Sequence, residues 1–322
     1  MVQSLTVESV GEMFERAYRR IVEHRDEMNA INVYPIPDGD TGTNMALTLE
    51  QAAKAAKAAL TAATDLSVGT YLMGISRSAI LGARGNSGVI LAQFLRGFAR
   101  HIAGQGEDPD GEAVASALAA GAQSAYSAVD VPVEGTILTV ARAAGDAART
   151  AAEMGGNVAK VLGAAAERAR QAVVETTRLL PELARAGVVD SAGLGLAHML
   201  EAMAEVIVGQ GGGALASKEL GAGTDPHLRN VVEEAGYGFE VQFVLEGTNL
   251  VLPEIRAAFH SLGESLVVVG DENLVKVHIH SREPERVLEV ARSLGVPDVV
   301  TVENLDAQVA LRHEKERLKR EE

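Results

Sequence analysis

An all-α domain followed by an α+β module is the architecture this sequence predicts, and three observations carry it. Apolar residues recur at helical spacing through the first two thirds of the chain, a glycine-rich run interrupts them, and strand-like alternation takes over beyond it. The 322 residues suffice for two hydrophobic cores, and a hydrophobic content of 47% is that of a globular protein. Aromatic residues make up only 3% of the chain while alanine dominates, so the cores are expected to be close-packed small aliphatics, which favours helix on helix.

The elements follow in chain order. Val10, Phe14, Ala17 and Ile21 line one face of a first helix that begins near residue 7, with Glu12, Arg16, Arg19 and Glu23 largely on its other faces. Further helices are expected at 43–62, 68–81, 87–102, 111–128, 135–153, 157–179 and 191–208, which makes eight within a domain spanning 1–208. The breaks between them, such as "PIPDGD", "GARGNSG", "VDVPVEG" and "RAGVVDSAG", carry the Gly, Pro, Asp and Asn of turns. Connections this short imply antiparallel neighbours. The run "GQGGGALASKELGAGTDPH" begins a linker placed at 209–230.

In the α+β module, 231–303, "YGFEVQFVL" reads as a strand and "PEIRAAFHSLG" as a helix. "SLVVVG" and "LVKVHIHS" read as two strands around a "DEN" turn, followed by the helix "PERVLEVARSLG" and the strand "DVVTVE". The order β-α-β-β-α-β is the split βαβ arrangement of ferredoxin-like domains. Residues 304–322 read as a charged, solvated helix.

Composition narrows the function. With 29 basic against 44 acidic residues the formal charge is −15, and the basic residues of "RHEKERLKREE" are interleaved with acids, so nucleic acid is not an expected partner. The absence of cysteine excludes disulfides, thiolate metal sites and a cysteine nucleophile. Acids stand where a signal peptide needs an apolar core, and no stretch approaches the length of an uninterrupted apolar span, so a cytoplasmic chain without a transmembrane segment is expected.

The densest chemistry lies in "INVYPIPDGDTGTNMA", residues 31–46. Asp38 and Asp40 flank Gly39 in a stretch that Pro35 and Pro37 keep out of regular helix, and two hard carboxylates on a stiff loop suit Mg²⁺. Thr41, Gly42, Thr43 and Asn44 then open a helix whose free N–H groups attract phosphate. A plain polar turn with an Asx cap explains "PDGDTG" equally well when it is taken alone. It has company, however: "GARGNSG" at 82–88 opens a second helix with Gly85, Asn86 and Ser87, and "VVDSAGLG" at 188–195 opens a third with Asp190. Three such helix mouths on one domain suggest a single nucleotide-binding rim. An aspartyl-nucleophile phosphatase motif does not fit, because "DGDT" follows no strand and Gly42 stands where that motif has Thr or Val; no P-loop pattern occurs either.

"NVYPIPDGDTGTNM", "GARGNSGVILAQ", "VEGTILTVAR" and "GVVDSAGLGL", in this order, resemble the nucleotide-binding domain of bacterial fatty acid kinase A subunits, relatives of the L subunit of dihydroxyacetone kinases. "GYGFEVQFVLEG", "GESLVVVGDENLVKVHIHSREP" and "VENLDAQ" are similar to the middle domain of those kinases. The resemblance implies an eight-helix barrel that holds Mg-ATP at its rim. Asp38 and Asp40 match the Mg²⁺ carboxylates, and Asn32 stands close to where the dihydroxyacetone kinases have a third aspartate. Thr43, Asn44, Gly85, Asn86 and Ser87 fall in phosphate-contacting stretches, and Asp190 falls near the adenosine end. Arg84 is a candidate for neutralising the transferring phosphoryl group, against the plainer reading of a surface arginine on a turn.

The reaction implied is transfer of the γ-phosphoryl group of ATP to a fatty acid presented by a separate fatty-acid-binding carrier protein, with homodimerisation through the second module. A dihydroxyacetone-kinase-like transfer to a small hydroxyketone, or a nucleotide-responsive regulator without turnover, are the alternatives. Family members ordinarily carry a third domain, whereas this sequence stops at Glu322, so weak turnover by this chain alone is expected. His278 and His280 share one strand face as a potential zinc pair, but the family's cysteine is replaced here by Gly238. Two ligands rarely hold zinc well, so full occupancy is not expected; Glu240 and His260 are the substitutes the sequence offers.

Overall fold

The computed structural model describes residues 4–62, 65–106, 108–209 and 236–321. Apart from Gly209, the linker expected at 209–230 lies outside them.

Among the described residues, ten helices come first. They are α1 (Val7–Glu23), α2 (Arg25–Ala30), α3 (Thr41–Thr61), α4 (Val68–Gly82), α5 (Gly85–Ala103), α6 (Gly111–Ala128), α7 (Ile137–Glu153), α8 (Val158–Leu179), α9 (Pro181–Ala186) and α10 (Ser191–Gly209). The eight long ones are those the periodicity predicts, within two residues at each end. The short α2 and α9 are invisible to periodicity, because six residues are under two turns and show no amphipathic period. Side-chain caps punctuate the starts: Thr6 and Ser9 form a reciprocal capping box on α1, and Ser67, Asp110 and Asn157 cap α4, α6 and α8.

Each long helix packs on the next, and α10 packs back onto α1. Alanine makes this closeness feasible: Ala115, Ala122, Ala141, Ala144, Ala165 and Ala169 are all buried where α6, α7 and α8 meet. Among the described residues, α10 alone is long and apolar enough to cross a membrane, and 67% of its apolar window is buried inside the protein.

The second part runs β1 (Phe239–Glu246), α11 (Leu252–Phe259), β2 (Glu264–Gly270), β3 (Leu274–Ser281), α12 (Pro284–Leu294), β4 (Pro297–Asn304) and α13 (Leu305–Glu321). The strands form one antiparallel sheet in the order β2-β3-β1-β4. Alternation gives the sheet two different faces. Val241, Phe243, Val277 and Ile279 pack with Ile255 and Phe259 of α11 and Val287 and Ala291 of α12 in a core of their own. On the other face Val244, Val267, Val269 and Leu274 join the core of the helical part, so the sheet lies directly on the helices.

Polar contacts fix that docking. Asp130 donates its N–H to the Leu266 carbonyl at 3.1 Å, Arg256 donates to the Ala128 carbonyl at 3.1 Å, and Lys276 donates to the Ala83 carbonyl. Arg96 of α5, whose side chain is 7% exposed, pairs with Asp271 of the β2–β3 turn. The final helix departs from its expected solvated character. Leu305 and Val309 of α13 are buried with Ile36, because the helix lies across the loop that precedes α3.

Removing one member of a mostly buried pair strands the other. Arg96→Ala is therefore expected to lower stability by about 1–3 kcal/mol, read from urea unfolding followed by circular dichroism. An unchanged midpoint would show that the pair does not hold sheet to helices.

Candidate functional site

The loop between α2 and α3 is held from three directions. Asn32, buried, accepts the N–H groups of Gly39 (3.0 Å) and Asp40 (3.2 Å) on its Oδ1 and donates its Nδ2 to the Ile36 carbonyl at 3.1 Å. Arg312 of α13 reaches in to donate to the carbonyls of Asn32 (2.6 Å) and Ala30 (3.1 Å), lying against Gly39. Gly39 itself turns the chain at φ +76°.

This arrangement brings the Asp38 and Asp40 carboxyls against each other. Burial first, and then the neighbouring Asp40 charge, push Asp38 well above the usual carboxylate range. Burial and the charge of Glu240 raise Asp40 to about 6, although the Asn44 side chain hydrogen-bonds to it. Two half-buried carboxylates forced together are the donor set a hard divalent cation fits, since the cation would offset the burial and the neighbouring negative charge that raise them. Asn32 does not serve as the third ligand the sequence suggests, because both acceptor positions of its Oδ1 already hold backbone N–H groups.

The mouths of α3 and α5 stand side by side. Gly42 has no room for a Cβ because the Arg25 carbonyl lies against it, which seats α3 on α2. Gly85, at φ +57°, opens α5 against the Asn44 side chain. Asn44, Gly85, Asn86 and Ser87 all border one cavity of about 600 Å³, together with Asp38 and Asp40. The Asn86 Oδ1 is buried with no hydrogen-bond partner, an acceptor in want of a donor.

Two expected members fall elsewhere. Thr43 does not border the cavity: its N–H and Oγ1 are taken by Asn29 of α2, at 3.1 and 3.0 Å, and Thr41 borders it instead. Arg84, at the start of α5, is also outside the lining and stands close enough to Lys276 of β3 to depress it. Burial is the larger cause, and together they bring Lys276 to about 8.

Asp190 is where the third mouth is expected. Its Oδ2 accepts the Gly193 N–H of α10 at 2.6 Å, its own N–H goes to Thr176 Oγ1 at 3.0 Å, and the N–H of Ile137 at the start of α7 also reaches its carboxyl. Burial nevertheless outweighs these donors and raises Asp190 to about 7.

Sequence reasoning misses much of the wall and roof. Residues 129–138 supply Asp130, Val131, Val133 and Thr136; the signal is "VEGT", which the sequence offers through its resemblance alone, and where Gly135 takes φ +85°. The sheet contributes Glu240, His280 and residues 263–267. Glu240 lies 3.7 Å from His280 Nε2 and 3.9 Å from His278 Nδ1, and the two Nε2 atoms are 3.1 Å apart. So Glu240, one of the two substitutes the sequence offers, joins the histidine pair as a third donor. The other, His260, pairs at 2.7 Å with Asp130. Burial pushes His278 down to about 3; burial raises Glu240, but the imidazoles and Gln242 outweigh it and bring it down to about 2.

The Asp190 shift has a testable sign. Its folded value of about 7 exceeds the ordinary 3.8, so its contribution to stability is full below about pH 4 and is lost as pH rises through 7. Asp190→Asn, which keeps an acceptor for Gly193, is expected to melt at least about 2–4 °C above the parent at pH 8, with the gap closing at pH 5. Thermal melts at the two pH values decide it, and a pH-independent difference would count against a buried, raised carboxyl.

The family model described as the DAK2 domain matches residues 35–205, and the model of the FakA-like middle domain, named for a fatty acid kinase, matches residues 236–312. The chain is 36% identical to Protein YloV of Bacillus subtilis over 318 residues, covering 95% of this chain and 57% of YloV. It is 34% identical to an uncharacterized protein of Staphylococcus saprophyticus over 317 residues, covering 96% of this chain and 56% of that protein. It therefore spans just over half the length of these curated relatives. Among solved structures, the dihydroxyacetone kinase from C. freundii in complex with AMP-PNP and Mg²⁺ is similar at TM-score 0.47 and 19% identity, over 64% of this chain and 35% of that one. Since the DAK2 match alone spans more than half of the residues, the chain belongs to the DAK2-domain family, with the FakA-like middle domain following.

Proposed function

We propose that this chain is the ATP-binding part of a cytoplasmic kinase that phosphorylates a fatty acid presented by a separate carrier protein. The observation that carries the reading is the pair Asp38 and Asp40, both raised by burial, with the Asp40 charge adding to Asp38 and the Glu240 charge to Asp40, bordering the same cavity as the starts of α3 and α5. Carboxylates that want a cation, next to N–H groups that want an anion, together describe a metal-phosphate complex.

In this reading Asp38 and Asp40 hold Mg²⁺, which when bound neutralises the phosphate oxygens. Gly85, Asn86 and Ser87 donate to the phosphate chain, with Asn44 steadying Asp40. The acceptor carboxylate oxygen forms a bond to the γ-phosphorus as the β–γ bridging bond breaks, leaving ADP; the chain's contribution is alignment and charge placement. Asp190, near the adenosine end, is a protonated donor or a charged acceptor depending on pH about its raised value. The helices of 1–208 are read as the barrel, 231–303 as a ferredoxin-like module, and the latter as the surface for homodimerisation. Partial zinc occupancy at His278 and His280 is retained in the proposal, with Glu240 as the third donor.

Middle-domain similarity favours the fatty acid over a small hydroxyketone, because that domain's description is that of a fatty acid kinase. A regulator that binds nucleotide without turnover would share the ATP site and lack the transfer.

Asp38→Asn with Asp40→Asn removes the repulsion as well as the charge. It is expected to leave stability equal or higher while weakening Mg-ATP binding at least tenfold, about 1.4 kcal/mol, by calorimetric titration. Parent-like affinity would place the site elsewhere. Arg312→Ala frees the loop without touching a ligand, and about a tenfold weaker Mg-ATP affinity with little change in melting temperature is expected; a drop in melting temperature alone would make Arg312 merely structural. An acyl-phosphate trap assay with fatty acid and a carrier separates the kinase from the regulator.

A further inference from the structure

Away from the cavity, a second set of donors gathers where α1, α2 and α10 meet. His24 sits at the junction of α1 and α2, Glu27 lies within α2, and His198 lies in α10. The imidazoles of His24 and His198 stack with centroids 4.0 Å apart and planes 15° apart. Glu27 Oε2 is 3.0 Å from His24 Nδ1, and the three potential ligand atoms lie within 4.8 Å of one another.

His198 is the anomaly. Both its ring nitrogens are buried without a hydrogen-bond partner. A polar group buried without a partner is destabilising, and neutral imidazole must leave one nitrogen with a lone pair. Nothing in the apolar body of α10 requires a histidine there, but a metal would use that lone pair.

We propose that His24, Glu27 and His198 form a transition-metal site, with Zn²⁺ as the best-fitting ion. Two imidazole nitrogens and one carboxylate oxygen are a zinc donor set, whereas Mg²⁺ and Ca²⁺ prefer oxygen alone. Tetrahedral zinc with bonds of about 2.0–2.1 Å requires donors ~3.3 Å apart, so these atoms, now within 4.8 Å of one another, would close on the ion by side-chain rotation. Glu201 stands behind, 3.6 Å from His198 Nδ1 and beyond hydrogen-bond distance, placed so that a small turn of the ring on binding the ion would make it the carboxylate that orients the imidazole. It does not join the ligands, because Arg20 and Arg170 approach it at 3.9 Å each. With three protein ligands and two of them partly exposed, the ion enters from solvent and keeps one open position.

The ion would fasten α2 to α10. Those helices already meet through Ser191, which donates to the Met28 carbonyl at 2.6 Å. The inference stands apart from the kinase reading, since none of its residues borders the cavity.

The experiment uses the full chain, stripped by chelator and titrated with Zn²⁺ in excess Mg²⁺, with Co²⁺ as a spectroscopic probe. The parent is expected to bind one more equivalent of Zn²⁺ than His24→Ala with His198→Ala, and to show a tetrahedral Co²⁺ band that this variant lacks. Counting the difference removes any ion held at His278 and His280. Glu201→Gln is expected to weaken the site about 10–100-fold. Should the His198 change prevent folding, His24→Ala alone tests the site, with diethylpyrocarbonate labelling of the parent expected to spare the partly exposed His24 only when Zn²⁺ is present. Equal stoichiometry in parent and variant, or labelling indifferent to Zn²⁺, overturns the proposal.

Discussion

Two carboxylates that repel each other must be kept in contact by something stiffer than their own side chains. Asp38 and Asp40 are held by the backbone to which they belong, and that backbone is fixed by Asn32 from beneath, by Gly39 at its tip and by Arg312 from the far end of the chain. Burial raises both groups, and the Asp40 charge adds to Asp38 while the Glu240 charge adds to Asp40. Much of the surrounding architecture follows from the need to hold this loop: α2 seats the start of α3, and the sheet brings Glu240 over the cavity and sends α13 back across the loop.

The sheet works as a roof because its two faces differ. One is sealed by α11 and α12. The other mixes Val244, Val267 and Val269, which bury themselves on the helices, with Glu240, Lys276, His278 and His280, which find polar partners there. A purely apolar face would have closed the cavity. Alternation of buried aliphatic and charged residues lets one surface provide both adhesion and a polar ceiling.

The long helices are legible because each has a sustained amphipathic face and punctuation at its ends; α2 and α9 are not, being shorter than the period that would reveal them. Asp38, Asp40, Asn44 and Ser87 are readable as a group since helix mouths and paired acids have local signatures. Sequence places Thr43 rather than Thr41 at the cavity, because it does not reveal which side of a first turn faces Asn29. Asn32 reads as a ligand only while the backbone N–H groups that occupy its acceptor are out of view. Arg84 and Lys276 are distant in sequence, and their proximity is a product of docking alone. The same is true of Glu240 over Asp40.

Arg312 lies 280 residues beyond the carbonyl of Asn32 that it grips, so the loop's posture is set partly by a helix whose opposite side carries charge into solvent. Leu305 and Val309 of that helix seat on Ile36 of the loop, and Arg312 grips the same loop further along. The most constrained loop of the molecule is thus closed by a distant stretch of the sequence as much as by its own neighbours, and a chain cut before Leu305 would leave Asn32 and Ala30 without that clasp.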